Sequence, residues 1–200
     1  MTSIYDVAKY ILQRQGAIDS LKLQKLCYYT KAWSLALGEG PLFPERFEAW
    51  VHGPVSRDLF QEHKGGYRIS SSGIHKGDAQ NVTEDQKDVI EATLSFMSEM
   101  SGKNLEKRTH EEKPWLDARK GFGEEEACSN LINEDLMKSY YANHPDCDQV
   151  ENLFLLRRAE RRFNNPLRKV FSTREVLEMN GLTFEDIINA EDVDFEIESI

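Results

Sequence analysis

The sequence predicts an all-α protein: a compact multi-helix bundle with little or no sheet, followed by a short helical, acidic C-terminal extension. Three observations predict it. Apolar residues recur at helical spacing through most of the 200 residues. Helix start and stop signals bracket those stretches. No segment shows the long apolar–polar alternation of a half-buried strand.

The elements follow in order. From Thr2 to Gln15, Ile4, Val7, Ala8, Ile11 and Leu12 form one face, with Thr2 or Ser3 as cap and Gly16 as stop. Ser20 is the expected cap of a helix from Leu21 to Leu37, which buries Leu23, Leu26, Cys27, Trp33 and Leu37 and ends at Gly38. Gly38 to Pro44 is a loop, and Arg46 to His52 is short, aromatic and extended. Gly53-Pro54 is expected to break the chain and start a helix carrying Val55, Leu59 and Phe60, closed by Gly65-Gly66. Residues 67–82 form an exposed loop or weak hairpin. Thr83 with Gln86 has the capping-box spacing, ahead of a helix burying Val89, Ile90, Leu94 and Met97 and fading at Ser101-Gly102. Thr109 and Glu112 repeat that spacing before Pro114-Trp115, and Asn133 caps a helix carrying Leu136, Met137, Tyr140 and Tyr141. A helix follows Pro145 to about Asn164, and two short helices capped by Ser172 and Thr183 close the chain.

Charge divides the chain. The whole sequence carries a formal −10, which argues against nucleic-acid or anionic-membrane binding by the surface at large. Arg157 to Arg174 nonetheless carries +6, and residues 175–200 carry −9 with no Lys or Arg. The expected organisation is a domain at 1–145 and an extension at 146–200, made of a basic helix 146–174 and an acidic tail 175–200. The longest uncharged run, Ala49 to Ser56, is far short of the roughly 20 apolar residues a membrane span needs. The opening Met-Thr-Ser-Ile-Tyr-Asp lacks a signal-peptide pattern, and Cys27, Cys128 and Cys147 are odd in number and far apart. A reducing cytoplasm is the expected location.

The sequence offers little chemistry. The histidines, at 52, 63, 75, 110 and 144, never pair at i+4, and no Cys-x-x-Cys is present, so no metal site is expected. Gly38-Glu39-Gly40 leads into Pro41 rather than a helix, which excludes a dinucleotide cradle, and no phosphate-binding loop is present. Ser56 lies near His52 without a nucleophile turn, and Cys27 sits on an apolar helix face. The expectation is a protein with no catalytic residues and no cofactor, whose work is binding. The arginines 157, 158, 161 and 162 share one helix face, a patch suited to nucleic acid, to an acidic partner or simply to solvent. Around the break at residue 53, Trp50, His52, Pro54 and Val55 are candidates for a partner-binding surface. Tyr28 joins them, because one of the pair Tyr28 and Tyr29 is expected to face outward.

Three stretches carry a family resemblance: Leu21 to Glu39 (LKLQKLCYYTKAWSLALGE), Phe47 to Phe60 (FEAWVHGPVSRDLF) and Thr109 to Trp115 (THEEKPW). In order and separation they resemble the Panacea domain, an antitoxin family that includes SocA-type proteolytic adaptors and phage-associated relatives. The resemblance covers about residues 4–145. It implies an all-helical domain that neutralises a cognate toxin, encoded by an adjacent gene, by direct protein contact in a type II toxin–antitoxin system. A DNA-binding autoregulator acting on operator DNA through the arginine patch is one alternative reading. An adaptor that delivers its toxin to a cytoplasmic protease is another. Self-association as a homo-oligomer is left open.

Overall fold

The computed structural model describes residues 2–163. The chain divides into two units, Met1–Arg158 and Ala159–Ile200. The expected helices capped by Ser172 and Thr183, the basic stretch to Arg174 and the acidic tail 175–200 lie outside the described residues. Eight α-helices are present among the described residues: α1 (Ile4–Gln15), α2 (Ser20–Ala36), α3 (Arg57–His63), α4 (Glu84–Met97), α5 (Gly102–Glu111), α6 (Lys113–Ala118), α7 (Glu134–Ala142) and α8 (Cys147–Phe163). Two small antiparallel pairs accompany them. β1 (Ile18–Asp19) pairs with β4 (Arg68–Ile69), and β2 (Glu48–Trp50) pairs with β3 (Gly53–Val55). The fold is the helical bundle the sequence predicts, and both sheets are two-stranded.

Local signals account for most helix ends. Ser3 and Asp6 make a reciprocal capping box at α1, and Thr83 and Gln86 make one at α4. Asn133 caps α7 by accepting from the Leu136 amide at 2.9 Å. Two assignments differ from the sequence reading. α2 is capped by Asp19, whose carboxylate accepts from the Lys22 amide at 2.8 Å, because a carboxylate also complements the positive helix terminus better than Ser20. Thr109 lies inside α5, where its hydroxyl donates to the Glu106 carbonyl at 2.7 Å, so α5 and α6 meet at Glu112 without a capping box.

The larger difference is in α2. Every residue from Leu23 to Leu35 is buried, because α1, α4, α5 and α7 pack around this one helix. The sequence suggests a stripe; the structure shows a central shaft. Burial all round makes unpaired polar groups costly, and apart from the Trp33 indole Nε1 the polar groups named here find partners. Lys31 pairs with Glu134 at 2.6 Å and donates to the Glu45 carbonyl at 2.8 Å, which fixes the 38–47 loop and α7 against the shaft. Tyr29 and Tyr141 both donate to the Glu112 carboxylate, at 3.0 and 2.5 Å, and Arg108 reaches its other oxygen at 3.1 Å. Tyr28, Tyr29, Trp33 and Tyr141 pack edge-to-face around this network. Val150 and Phe154 of α8 complete the core.

Burial pushes the Glu112 pKa up to about 7, against the pull of Tyr141, Arg108 and Tyr29. The folded chain therefore holds a proton that the unfolded chain releases above its ordinary value of 4.5. Stability from this group is full below that value and is lost as pH climbs through about 7. Urea denaturation of the wild type and Glu112→Gln at pH 5 and pH 8 tests this. The wild type should lose stability relative to the variant between the two, and parallel behaviour would contradict the assignment.

Candidate functional site

The site is the hairpin β2–β3, whose turn is Val51-His52. The sequence reading makes Gly53-Pro54 a helix start; the structure makes it a strand, and α3 begins only after Ser56. The reason is register. Ala49 opposes Pro54, and Ala49 directs its N–H to the Asn130 carbonyl (2.9 Å) and its carbonyl to Arg119 (3.0 Å), away from β3. That makes the pair a non-hydrogen-bonded one, where proline's missing N–H costs the ladder nothing.

Side chains from distant segments pair the hairpin's backbone. Trp115 Nε1 donates to the Trp50 carbonyl at 3.0 Å. Lys25 Nζ donates to the Pro54 carbonyl at 3.0 Å. Gln24 brackets Ser56, accepting from its amide at 2.9 Å and donating to its carbonyl at 3.3 Å. His110 faces the Val51 carbonyl and stacks on Trp115 with ring centroids 4.2 Å apart. Gly53 sits where these groups converge. Its φ is +87°, and a Cβ there would lie 2.6 Å from Lys25 Cε and 2.7 Å from Thr109 Oγ1. Only glycine meets both demands.

The electrostatics follow from burial. Lys25 is fully buried, and loss of hydration pushes its pKa down to about 7, against the raising influence of Glu106 and Asp19. Burial pushes Glu106 up, but hydrogen bonds from Lys103 and His52 outweigh it and hold the carboxylate below its ordinary range. Burial likewise lowers His110.

The outward face carries Trp50 and His52. Trp50 is half-buried, with its ring edge-on to Phe60 at 4.9 Å and the Arg57 guanidinium 5.5 Å above it. Glu48 binds both neighbours, accepting from Trp50 Nε1 at 2.7 Å and from Arg57 at 2.8 and 2.7 Å. The His52 side chain is 68 % exposed, with Nδ1 2.7 Å from Glu106. Beside the hairpin an open groove is lined by Pro44, Arg46, Arg57, Asp58 and Leu131 among others. Among the described residues no group of three or more His, Cys, Asp or Glu is arranged to hold a metal ion.

Of the residues singled out from sequence, Trp50 and His52 come together at the surface. Pro54 and Val55 are buried within the hairpin's second strand. Tyr28 and Tyr29 are both fully buried, so neither faces outward, because α2 has no exposed side along this stretch. The arginine stripe is also divided. Arg158 turns inward to Glu39 at 3.1 Å and Asp88 at 3.9 Å and lies over the Phe154 ring, and Arg157 reaches Ser95 at 3.3 Å. Arg161 is half-buried and Arg162 exposed. Gln24, Lys25 and Arg119, which hold the hairpin, escape the sequence reading. Nothing in helical spacing marks a polar residue as buried when the whole helix is buried.

These features define a helical domain that presents a short, side-chain-locked hairpin. Residues 23–116 match the family described as antitoxin SocA-like, Panacea domain, and over that stretch the resemblance seen in the sequence is shown. The matched segment holds the hairpin together with Gln24, Lys25, His110 and Trp115. No curated protein and no solved structure matches the chain. No helix among the described residues is long and apolar enough to cross a membrane.

Two substitutions test the lock. Gly53→Ala should cost at least about 2 kcal/mol more than Gly38→Ala, which has a φ of +80° but open space around it. Equal losses in denaturant titration would show that Lys25 and Thr109 yield freely. A depressed lysine contributes stability that is present above its unfolded pKa and lost as pH falls through the folded one. Relative to Lys25→Met, the wild type should therefore gain stability as pH rises from 7 toward the ordinary lysine value of 10.5.

Proposed function

We propose that this protein is the antitoxin of a type II toxin–antitoxin pair. It neutralises a toxin encoded by an adjacent gene through direct protein contact, performs no chemical transformation itself, and acts in the cytoplasm. The observation that carries this reading is the antitoxin-family match, which spans the hairpin and, of the residues that lock it, Gln24, Lys25 and Trp115. A recognition surface benefits from pre-organisation, because groups already held in place lose less freedom on binding. Trp50, with Arg57 above it, is the aromatic–arginine pair typical of interface anchors, and His52 extends beyond it. An autoregulator working through the four arginines finds less support, since Arg158 is engaged in ion pairs with Glu39 and Asp88.

Co-expression with the product of the adjacent gene tests the reading. That product should arrest growth alone, be harmless with this chain present, and co-purify with it through an interface of roughly 1,200–2,000 Å². His52→Ala and Trp50→Ala should each weaken the complex by about tenfold or more while the His52 variant remains folded, judged by unchanged circular dichroism. A neighbour that is harmless alone, or a complex indifferent to both substitutions, would contradict the proposal.

A further inference from the structure

A further stretch of chain runs along the outer side of β2. Ala49 donates to the Asn130 carbonyl at 2.9 Å, Ile132 donates to the Phe47 carbonyl at 2.8 Å, and Glu48 stands opposite Leu131 in an antiparallel bridge. Backbone groups alternate in direction along an extended chain. Those of Asn130 and Ile132 face β2, so the N–H and C=O of Leu131 point the other way. The extended Asn133 turns its N–H outward likewise. Among the described residues none of these three outward groups has a hydrogen-bond partner. The side chains alternate too: Ile132 is buried, while Leu131 is 54 % exposed. Free edges of this kind are templates for another strand, and proteins commonly blunt them with proline or charge. Ser129 to Asn133 contains neither.

The open groove beside this edge is lined by Pro44, Arg46, Arg57, Asp58 and Leu131 among others. Its arginines are paired, Arg57 with Glu48 and Arg46 with Glu134. Asp58 is exposed and has no ion pair among the described residues, so the unmatched charge is negative. We propose that an extended segment of the toxin adds to the outer edge of residues 130–132 as the next strand, with a basic side chain of that segment meeting Asp58. The inference rests on the toxin-binding reading and specifies its chemistry. Main-chain hydrogen bonds to Leu131 and Asn133 supply affinity, and Asp58 selects Lys or Arg. The edge is continuous with the Trp50 surface, because Glu48, which faces Leu131 across the bridge, holds both Trp50 and Arg57.

Leu131→Pro tests the strand addition. It removes one outward N–H, keeps an apolar side chain, and sits at an edge position where proline is tolerated. Leu131→Ala is the counterpart that trims the side chain and keeps the N–H. In calorimetry with the toxin, the proline variant should bind about tenfold more weakly than the alanine variant, with circular dichroism unchanged in both. Asp58→Asn should weaken binding about threefold. Residue-level amide exchange of the wild type gives a readout that needs no variant. The Leu131 amide should exchange orders of magnitude faster than the paired Ala49 amide in the free chain, and slow in the complex. Proline no worse than alanine, or a Leu131 amide unmoved by the toxin, overturns the strand addition and leaves toxin binding standing. Absence of any complex overturns the toxin-binding reading and this inference with it. A Leu131 amide already slow in the chain alone shows the edge covered by a second copy or by the chain itself, and overturns the proposal. Binding indifferent to Asp58→Asn overturns the basic contact.

Discussion

A two-strand hairpin cannot satisfy its own backbone, and the rest of this domain is arranged around that need. Strands of three residues leave polar groups on both outer edges, and an unpaired buried amide or carbonyl costs roughly 1–3 kcal/mol. Here the carbonyls of Ala49, Trp50 and Pro54 and both backbone groups of Ser56 are taken by Arg119, Trp115, Lys25 and Gln24. The donors come from α2 and from α6 and its end, elements far apart in sequence. Three separated stretches of the chain thus depend on one another. Each of them loses buried hydrogen-bond partners when the hairpin is displaced.

The same logic explains the charged core. α2 is buried on all sides, so Lys25 and Tyr29 are each held by one well-placed acceptor and Lys31 by two, rather than by solvent. Glu112 anchors the opposite side, joining α2 and α7 through two tyrosines and Arg108, which continues to Asp146 at 2.5 Å. Buried polar networks of this kind stabilise less than apolar packing of equal volume, but they penalise every arrangement that leaves a member unpaired. In this domain that penalty falls on displacing the hairpin, and a fixed hairpin holds Trp50 and His52 in one geometry.

Much of the fold is legible in the sequence because local rules produced it. Helix caps at Ser3, Thr83 and Asn133, and the stop at Gly38, act within a few residues, and spacing alone reveals them. The hairpin is not legible in this way. Gly53-Pro54 has the form of a helix start, and only the cross-strand register, set by Asn130 and Arg119, makes it a strand. Tyr28 is misread for a related reason: a helix enclosed on every side carries no amphipathic pattern from which to infer an outward face. Of the candidate surface, Trp50 and His52 are visible from sequence as uncharged residues beside a chain break. The buried donors behind them are visible only in three dimensions.

The central claim is that the hairpin is rigid before any partner arrives and is the part a partner covers. Hydrogen exchange measured on the chain alone, and again when saturated with the protein encoded beside it, tests both halves at once. The account predicts that the paired amides of Ala49 and Ser56 exchange as slowly as those of α2 in the free chain, and that the amides of the turn Val51-His52 slow in the complex. Hairpin amides that exchange orders of magnitude faster than α2, or that do not respond to the partner, would contradict it.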